Sequence, residues 1–400
     1  MTSRPHIDKK TFKQIFHEHW DEFKRLNPRY NTSYHSDVIQ KMLDCGDPAK
    51  MGHIGYLCTG CGHIHQVAMS CKSSFCLSCA KPYTDRWVEF IGRRLIPGVT
   101  YRHVVLTVPD FLQIHFYRNR ELLGPFMQLA MPCLKDVFKT AFGIQLDIGL
   151  VVVLQTFGRP GTFNVHLHVI VSSGGITASG QWRQVGYIPF TILHRKWQYH
   201  LLTFLKQRLA LTPQLARDID RGWRNYPSGF VANVQKGKVP GGGKGLARYL
   251  AKYVVSPPIS VRRIEMYDGQ NVRYWYHDHK TRKIKVETVP ASTFIGRMIQ
   301  HILPKGFQRI RYYGFQANAR YAATRPVIIA ILPRAATTED PLGYRVISRK
   351  PFQMLFWETY GRDPLICPHC GSQMEVDTVW HPKYGIIRQH THSHTYKIAS

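Results

Sequence analysis

The sequence predicts an α+β protein: an antiparallel sheet flanked by helices, with a Cys-rich module ahead of it and a smaller C-terminal region behind it. β-branched and aliphatic runs occupy 148–157 and 162–173, and only a short turn rich in Gly and Pro separates them. This pattern is typical of an antiparallel hairpin. Segments with apolar residues at helical spacing lie on either side of the hairpin. At 400 residues the chain is long enough for two or three domains.

The first 45 residues are predicted to form an N-terminal helical region. Its apolar residues recur at helical intervals: Phe12, Ile15, Phe16 and Trp20. Residues 46–97 are rich in Cys, Gly, Ser and His, a composition that favours a small zinc-binding module. Within it, 84–96 is predicted to be a helix that begins with Thr84 as its cap and stops at Pro97.

The sheet and its helices are assigned to residues 98–258. The expected elements are strands at 101–109, 148–157, 162–173 and 229–236 and helical segments at 118–142 and 190–211, with a glycine-rich hinge at 241–245 before another helix. A C-terminal region follows at 259–390, and its alternating runs up to residue 288 predict a β meander. Residues 391–400 have no periodicity and are predicted to be a disordered tail.

The charge of the chain indicates a polyanionic partner. It carries 54 Lys and Arg against 25 Asp and Glu, a formal net charge of +29. Clustered cations of this kind displace counterions from phosphates, so a polyanionic partner is the simplest explanation, and a generic cationic surface is the alternative. The apolar runs are far shorter than the roughly 20 residues of a membrane helix, and the start lacks a signal-peptide core. We therefore expect a cytoplasmic protein without membrane partners.

The nine cysteines indicate metal binding in a reducing compartment, because six of them form Cys-x-x-Cys pairs. Cys58, Cys61, Cys76 and Cys79 are predicted to close one structural Zn²⁺ site, since each pair supplies two thiolates from a tight turn. Reduced turns without metal are the alternative. The residues Cys45, Cys71 and His63 remain outside this assignment, either as buried thiols or as ligands of a second metal.

A third pair, Cys367 and Cys370 in CPHCG, has the same shape but no further Cys pair after it. Four later histidines are candidates to complete a zinc site there: His381, His390, His392 and His394. The alternative is that these histidines are simply solvated.

Two histidines interrupt the second run of the hairpin. His166 and His168 alternate with aliphatic residues, so in a strand both imidazoles project from one face. Gln155 is about as far from the turn on the partner strand, so it is predicted to share that face. Two imidazoles and an amide oxygen leave open positions on a divalent ion. By itself the pair could equally be structural, because a chain with 21 histidines contains such triplets by chance.

Two tyrosines follow in GLARYLAKYVVSPPIS, a stretch of strong helix formers. Tyr249 and Tyr253 are four residues apart, so both phenols emerge on one face of the predicted helix. Aromatic residues at this spacing are often core. The neighbouring Lys244, Arg248 and Lys252 are not typical core residues and are predicted to contact DNA phosphates; Arg248 and Lys252 could instead lower the pKa of the phenols.

Together, the histidine strand and the tyrosine helix resemble the HUH endonuclease superfamily of replication initiators, relaxases and certain transposases. The two-tyrosine rolling-circle transposases of the IS91 family are more similar still. Their order of motifs matches CTGCGHIHQVAMSCKSSFCLSC, the HUH strand, YLAKYVVSPPIS, RIRYYGFQAN and the late CPHCG. The resemblance covers about residues 40–375. It departs at Leu77, where many relatives have Pro, and at Asn164, where a further His is common.

This resemblance implies an HUH nuclease domain over 98–258 and a bacterial, nucleoid-associated transposase that nicks and rejoins single-stranded DNA at insertion-sequence ends. Tyr249 and Tyr253 would be the nucleophiles that form a 5′-phosphotyrosine. Mg²⁺ or Mn²⁺ is the implied catalytic ion, at His166, His168 and Gln155. The implied partner is single-stranded or hairpin DNA, with no nucleotide cofactor.

Two other functions are compatible with the sequence. A rolling-circle replication initiator or relaxase would use the same chemistry without moving an element, although the zinc module and the paired tyrosines favour a transposase. A non-catalytic zinc-dependent DNA-binding regulator would use the histidines and tyrosines for packing alone.

Overall fold

The computed structural model describes residues 9–234, 258–278, 281–332, 353–354, 356–357, 361 and 363–390. In chain order the helices are α1 (Lys9–Leu26), α2 (Ser33–Asp44), α3 (Pro48–Met51), α4 (Leu77–Arg94), α5 (Asp110–Arg118), α6 (Leu123–Gln128), α7 (Ala130–Phe142), α8 (Phe190–Arg208), α9 (Pro213–Arg224), α10 (Ala291–Ile299) and α11 (Asn318–Ile331). The strands are β1 (His53–Cys58), β2 (Ile64–Ala68), β3 (Tyr101–Thr107), β4 (Gly149–Phe157), β5 (Phe163–Ser172), β6 (Gly174–Ile176), β7 (Trp182–Gln184), β8 (Ala232–Val234), β9 (Ile264–Tyr267), β10 (Asn271–His277), β11 (Ile284–Pro290), β12 (Ile310–Gly314), β13 (Met374–His381) and β14 (Gly385–Gln389).

The chain divides into two compact units that are interleaved along the sequence. Unit 1 comprises Met1–Arg86, Val255–Ile302 and Ile347–Ser400, and unit 2 comprises Trp87–Val254 and Leu303–Val346. This division differs from the consecutive domains expected from the sequence, because distant stretches pair in both units. The predicted tail, 391–400, lies outside the described residues.

Unit 2 is built on an antiparallel sheet with the strand order β12-β4-β5-β3-β8. The predicted hairpin is present as β4 and β5, whose β-branched and aliphatic side chains suit a pleated surface buried on both faces. One face packs against α5 to α9. The side chains at the centre of that core include Leu106, Val152, Leu167, Phe126 and Trp197. The α+β class with a helix-flanked antiparallel sheet is thereby confirmed.

Unit 1 contains two further antiparallel sheets. One has the order β14-β13-β1-β2, and the other, β11-β10-β9, is the predicted meander. The buried face of β10 packs with α1 and α10, and the rings of Phe12 and Phe294 meet edge to face with centroids 6.2 Å apart. Cys45, Cys76 and Cys79 are buried in this same core.

The helix at the end of the Cys-rich module begins earlier than expected. Thr84 is not a cap; it lies inside α4 and donates its hydroxyl to the carbonyl of Ala80 at 2.8 Å. The helix starts at Leu77, directly after Cys76, so Cys79 lies in its first turn. Among the described residues, no helix combines the length and apolar character needed to cross a membrane.

Candidate catalytic and zinc sites

The two strand histidines and Gln155 lie on one face of the unit 2 sheet. β4 pairs with β5 in a register that puts Gln155 directly opposite His166. Because side chains alternate along a strand, His168 shares that face two residues further along. Nε2 of His168 lies 2.7 Å from Oε1 of Gln155, and the centroids of the two imidazoles are 4.9 Å apart. The predicted grouping of these three side chains is therefore present.

The ring of His166 is fixed by a contact with the backbone. Nδ1 of His166 lies 2.9 Å from the carbonyl oxygen of Asn164, so this nitrogen carries the proton and Nε2 keeps its lone pair. Asn164, the position that departs from the family pattern, thus orients His166 through its backbone. Its side-chain oxygen lies 3.2 Å from Nε2 of Gln113.

His103 is a third histidine at this site, and sequence reasoning missed it. Its Nε2 lies 3.0 Å from Nδ1 of His168, and the two rings stack at 14° with centroids 5.2 Å apart. The contact is diagonal across β3 and β5, where His168 is opposite Val105 and His103 is opposite Ile170. The pairing of β3 with β5 was not predicted, so the sequence offered no register that would bring His103 here.

Burial keeps these imidazoles neutral. It lowers the pKa of His103 to about 4 and also lowers the pKa of His166. For His168, burial and then the charges of His166 and His103 hold the pKa well below its ordinary value of 6.5. Neutral imidazoles offer the lone pairs that a metal ion needs, so the donor set fits a divalent cation at neutral pH.

The predicted nucleophiles and their basic neighbours lie outside the described residues. These are Tyr249, Tyr253, Lys244, Arg248 and Lys252. Their roles therefore remain predictions from the sequence.

The cysteines form two clusters, and the single site predicted for Cys58, Cys61, Cys76 and Cys79 is not present. The first cluster joins Cys76 and Cys79 to the unassigned Cys45 and Cys71, with all four sulfurs within 4.8 Å of one another. Sγ of Cys79 lies 3.5 Å from that of Cys45 and 3.6 Å from that of Cys71. A hydrogen bond from Cys71 lowers the pKa of the Cys45 thiol to about 7, which favours a thiolate.

The second cluster joins Cys58 and Cys61 to Cys367 and Cys370, again with all four sulfurs within 4.8 Å. The late pair is therefore grouped with the first Cys pair rather than with the histidines that follow it. The spacing rule failed because it matched pairs that are close in sequence, whereas β1 pairs with β13, which starts just after Cys370. Hydrogen bonds from Ser372 lower the pKa of the Cys370 thiol to about 6.

The aromatic and basic run at 272–285 occupies β10 and the start of β11. Val272, Tyr274 and Tyr276 point into the unit 1 core. Alternation puts Arg273 and His277 on the other side, and both are exposed. The strand thus separates a packing face from a basic, aromatic face.

Comparisons with known proteins identify two transposase regions in the chain. A family model described as a transposase zinc-binding domain matches residues 15–108, and a second, described as a putative transposase, matches residues 149–323. The first region contains all of the first cysteine cluster, and the second contains Gln155, His166 and His168.

Two relatives match over most of their length. The chain is 30% identical over 349 residues to the transposase for insertion sequence element IS801 of Pseudomonas savastanoi pv. phaseolicola, covering 84% of this chain and 82% of that protein. It is 28% identical over 375 residues to the putative transposase y4qJ of Sinorhizobium fredii (strain NBRC 101917 / NGR234), covering 88% of this chain and 92% of that protein. No solved structure matches the chain significantly. With two transposase regions in the expected order and this extent of shared sequence, the chain belongs to the IS91-family transposases, DNA-processing enzymes with an N-terminal zinc-binding domain.

Proposed function

We propose that this transposase nicks and rejoins single-stranded DNA at the ends of an insertion sequence, in a rolling-circle reaction that passes through a 5′-phosphotyrosine. The observation that carries the proposal is that Gln155, His166 and His168 lie together on one face of the sheet. Oε1 of Gln155 is 2.7 Å from Nε2 of His168. This grouping depends on the register of β4 and β5, since a slip of one residue would move Gln155 to the opposite face.

The chain's own residues prepare this site for Mg²⁺ or Mn²⁺. Asn164 holds the proton of His166 on Nδ1, and His103 is positioned to accept the Nδ1 proton of His168. In that tautomer both Nε2 atoms and the Gln155 oxygen present lone pairs to a cation; the imidazole ligands favour Mn²⁺ slightly. When bound, such an ion polarises the scissile phosphate and offsets the charge that develops on its oxygens.

Tyr249 or Tyr253 supplies the nucleophile. The phenol oxygen forms a bond to phosphorus as the bond from phosphorus to the 3′ oxygen breaks, and a proton ends on the released 3′-OH. One phosphodiester replaces another, so rejoining needs no ATP. The two phenols lie one helical turn apart in the sequence-predicted helix, so one can hold a cleaved end while its neighbour cuts a second strand.

Lys244, Arg248 and Lys252 hold the DNA backbone beside the tyrosines, and the exposed face of β10 adds basic and aromatic contacts. The first cysteine cluster, Cys45, Cys71, Cys76 and Cys79, holds a structural Zn²⁺. Its four sulfurs come from three separate stretches of unit 1, so the ion connects them inside the core.

The test is cleavage of a single-stranded oligonucleotide that carries an element end, with Mg²⁺ or Mn²⁺. The wild type should form a covalent protein–DNA adduct, detected as a band that survives denaturing electrophoresis. The double variant Tyr249→Phe/Tyr253→Phe should form none, because no phenol remains to attack. His166→Ala should reduce adduct formation strongly, whereas Gln155→Glu should retain it, since a carboxylate oxygen replaces the amide oxygen.

Tyr187→Phe is the matched control, because Tyr187 is a 62% exposed tyrosine of unit 2 with no assigned role. It should form the adduct at the wild-type rate. The tyrosine mechanism is wrong if the wild type leaves no adduct with either ion or if the double variant still produces one.

A further inference from the structure

We propose that Cys58, Cys61, Cys367 and Cys370 bind a second zinc ion whose ligands come from two stretches of chain more than 300 residues apart. Two sulfur contacts of this cluster join residues that are 312 and 306 positions apart in the sequence: Cys58 with Cys370 and Cys61 with Cys367. The transposase zinc-binding family model ends at residue 108, so it does not include the late pair. This inference is independent of the DNA cleavage proposed above.

The sulfur positions fit a tetrahedral zinc site. Sγ of Cys58 lies 3.4 Å from that of Cys370, and Sγ of Cys61 lies 3.8 Å from that of Cys367. With a zinc–sulfur bond of about 2.3 Å, the edge of a regular tetrahedron is about 3.8 Å. The separations therefore leave room for an ion at the centre.

The two Cys-x-x-Cys turns repeat the same hydrogen bonds. In the first, Gly60 donates its backbone N–H to Sγ of Cys58 at 3.4 Å; in the second, His369 donates to Sγ of Cys367 at 3.4 Å. Gly62 closes the first turn by donating to the carbonyl of Cys58, at 3.1 Å.

Gly371 closes the second turn in the same way, by donating to the carbonyl of Cys367 at 3.0 Å. Both closing glycines have positive φ, +70° for Gly62 and +74° for Gly371, which Gly adopts without steric cost. Backbone donors aimed at a sulfur stabilise its thiolate form. The turns thus have the same form, as expected for two halves of one four-thiolate site.

The sheet of unit 1 fixes this arrangement independently of any metal. β1 pairs with β13 so that Cys58 is opposite Met374, and Thr59 donates its N–H to the carbonyl of Gln373 at 3.1 Å. Gly60 lies against Ser372, and a Cβ at position 60 would overlap the Ser372 hydroxyl. The second turn can approach the first this closely only because residue 60 is Gly.

The hydrophobic core beneath this sheet is small, which gives the ion a structural role. Among the described residues, the buried members of this cluster are Tyr56, Cys58, Cys367 and Met374. Two of these four are themselves proposed ligands. A sheet with so little buried apolar surface is the kind of small module that a metal commonly stabilises. Four thiolates at these distances select zinc over harder cations.

Zinc content and thiol reactivity test the proposal on the full-length protein. Native mass spectrometry of the wild type, purified with reductant, should show two zinc ions per chain. Cys367→Ser should bind one, and Cys58 and Cys61 should then react with iodoacetamide under native conditions. Cys45, Cys71, Cys76 and Cys79 should stay protected, because their ion is not shared.

Three further variants exclude misfolding as the explanation. Cys370→His keeps a zinc ligand and should retain both ions, whereas Cys370→Ser should lose one. Cys133→Ala removes a buried thiol outside both clusters and should retain two ions. The proposal is overturned if the wild type and Cys367→Ser hold the same number of ions, or if the four cysteines are disulfide-bonded. It is equally overturned if the exposed Cys61 stays protected in Cys367→Ser.

Discussion

His103 is a single buried side chain that sets the state of a proposed metal ligand. It lies on β3, stacks on His168 and faces its Nδ1 at 3.0 Å. When His168 donates its Nδ1 proton to His103, Nε2 of His168 presents its lone pair to an ion. Groups that hold a ligand histidine in this way commonly change metal affinity or activity by about 10- to 100-fold when they are lost.

Replacing His103 should therefore weaken metal binding more than it weakens the reaction itself. His103→Phe preserves the ring but not the acceptor, so the Mn²⁺ concentration for half-maximal nicking should rise about 10-fold or more. Saturating Mn²⁺ should restore most of the rate. The control is His115→Gln, which disrupts another buried histidine contact, the 2.8 Å pair with Asp218 in the helical layer. An unchanged Mn²⁺ requirement in His103→Phe would show that His103 does not position His168.

Gly314 is a residue whose backbone position admits no side chain. It ends β12 with φ +62°, and a Cβ there would overlap the carbonyl oxygen of Ile148. Gly306 has a similar φ of +74° but open space around it. Gly306→Ala should lower the free energy of unfolding by about 1–2 kcal/mol, because a residue with a Cβ is strained in a left-handed backbone conformation. Gly314→Ala should lower the free energy of unfolding by clearly more, measured by urea denaturation; equal losses would contradict the role of the overlap.

At the scale of elements, local patterns were predictable and distant pairings were not. Alternation and a Gly/Pro turn predict β4 and β5 because hairpin register depends on nearby residues. The same holds for the meander of β9, β10 and β11. The partners of β1 and β3 come from distant segments, which no local pattern specifies. For this reason the zinc ligands were paired wrongly and His103 was missed, while Gln155 was placed beside His166.

An ion pair links α10 to the meander and makes unit 1 sensitive to acid. Nη1 of Arg297 lies 2.5 Å from a carboxylate oxygen of Glu287, and Tyr276 donates to the other oxygen at 2.7 Å. Burial alone would raise the pKa of Glu287, but the hydrogen bonds from Arg297 and Tyr276 outweigh it and hold the pKa below 4.5. Since the folded state binds this proton less readily than the unfolded state, the pair stabilises the fold above about pH 4.5.

This stabilisation should be lost as pH falls through the lowered pKa of folded Glu287. Glu287→Gln should therefore reduce the unfolding free energy near neutral pH and flatten its decline between pH 5 and 3 relative to wild type. Urea denaturation at several pH values measures both effects. Asp220→Asn is the control, because both side chains of its 2.9 Å ion pair with Arg224 are more than half exposed, and such surface pairs contribute little. If the unfolding free energy of Glu287→Gln falls as steeply between pH 5 and 3 as that of wild type, the ion pair is not the cause of the acid sensitivity.

At the scale of the whole molecule, the excess of positive charge makes the affinity of the transposase for DNA dependent on salt. A net charge of +29 means that binding releases many condensed counterions, so affinity should depend steeply on salt. For single-stranded DNA the slope of log K against log salt concentration is about −0.7 per phosphate contact.

Substituting a residue that contacts a phosphate should reduce that slope by about 0.7. We expect this smaller slope for Lys244→Ala, Arg248→Ala and Lys252→Ala. The measurement is fluorescence anisotropy with a labelled oligonucleotide between 50 and 300 mM salt. Over this range, affinities for nucleic acid change by about 10³-fold or more. Lys24→Ala is the control, because Lys24 is paired with Asp21 at 2.6 Å in α1. If the slope of log K against log salt concentration is unchanged in all three variants, these residues do not contact DNA phosphates.

The pairing of β1 with β13 also dictates an order of events during synthesis. Once residues 53–68 have left the ribosome, β2 can cover one edge of β1, but the strand for the other edge is still about 300 residues from being translated. Until β13 is made, that edge is unpaired and Cys58 and Cys61 have half of their cluster missing. A transposon copy interrupted before Cys367 would thus encode a chain that cannot complete this sheet, so damaged copies of the gene yield unfinished proteins.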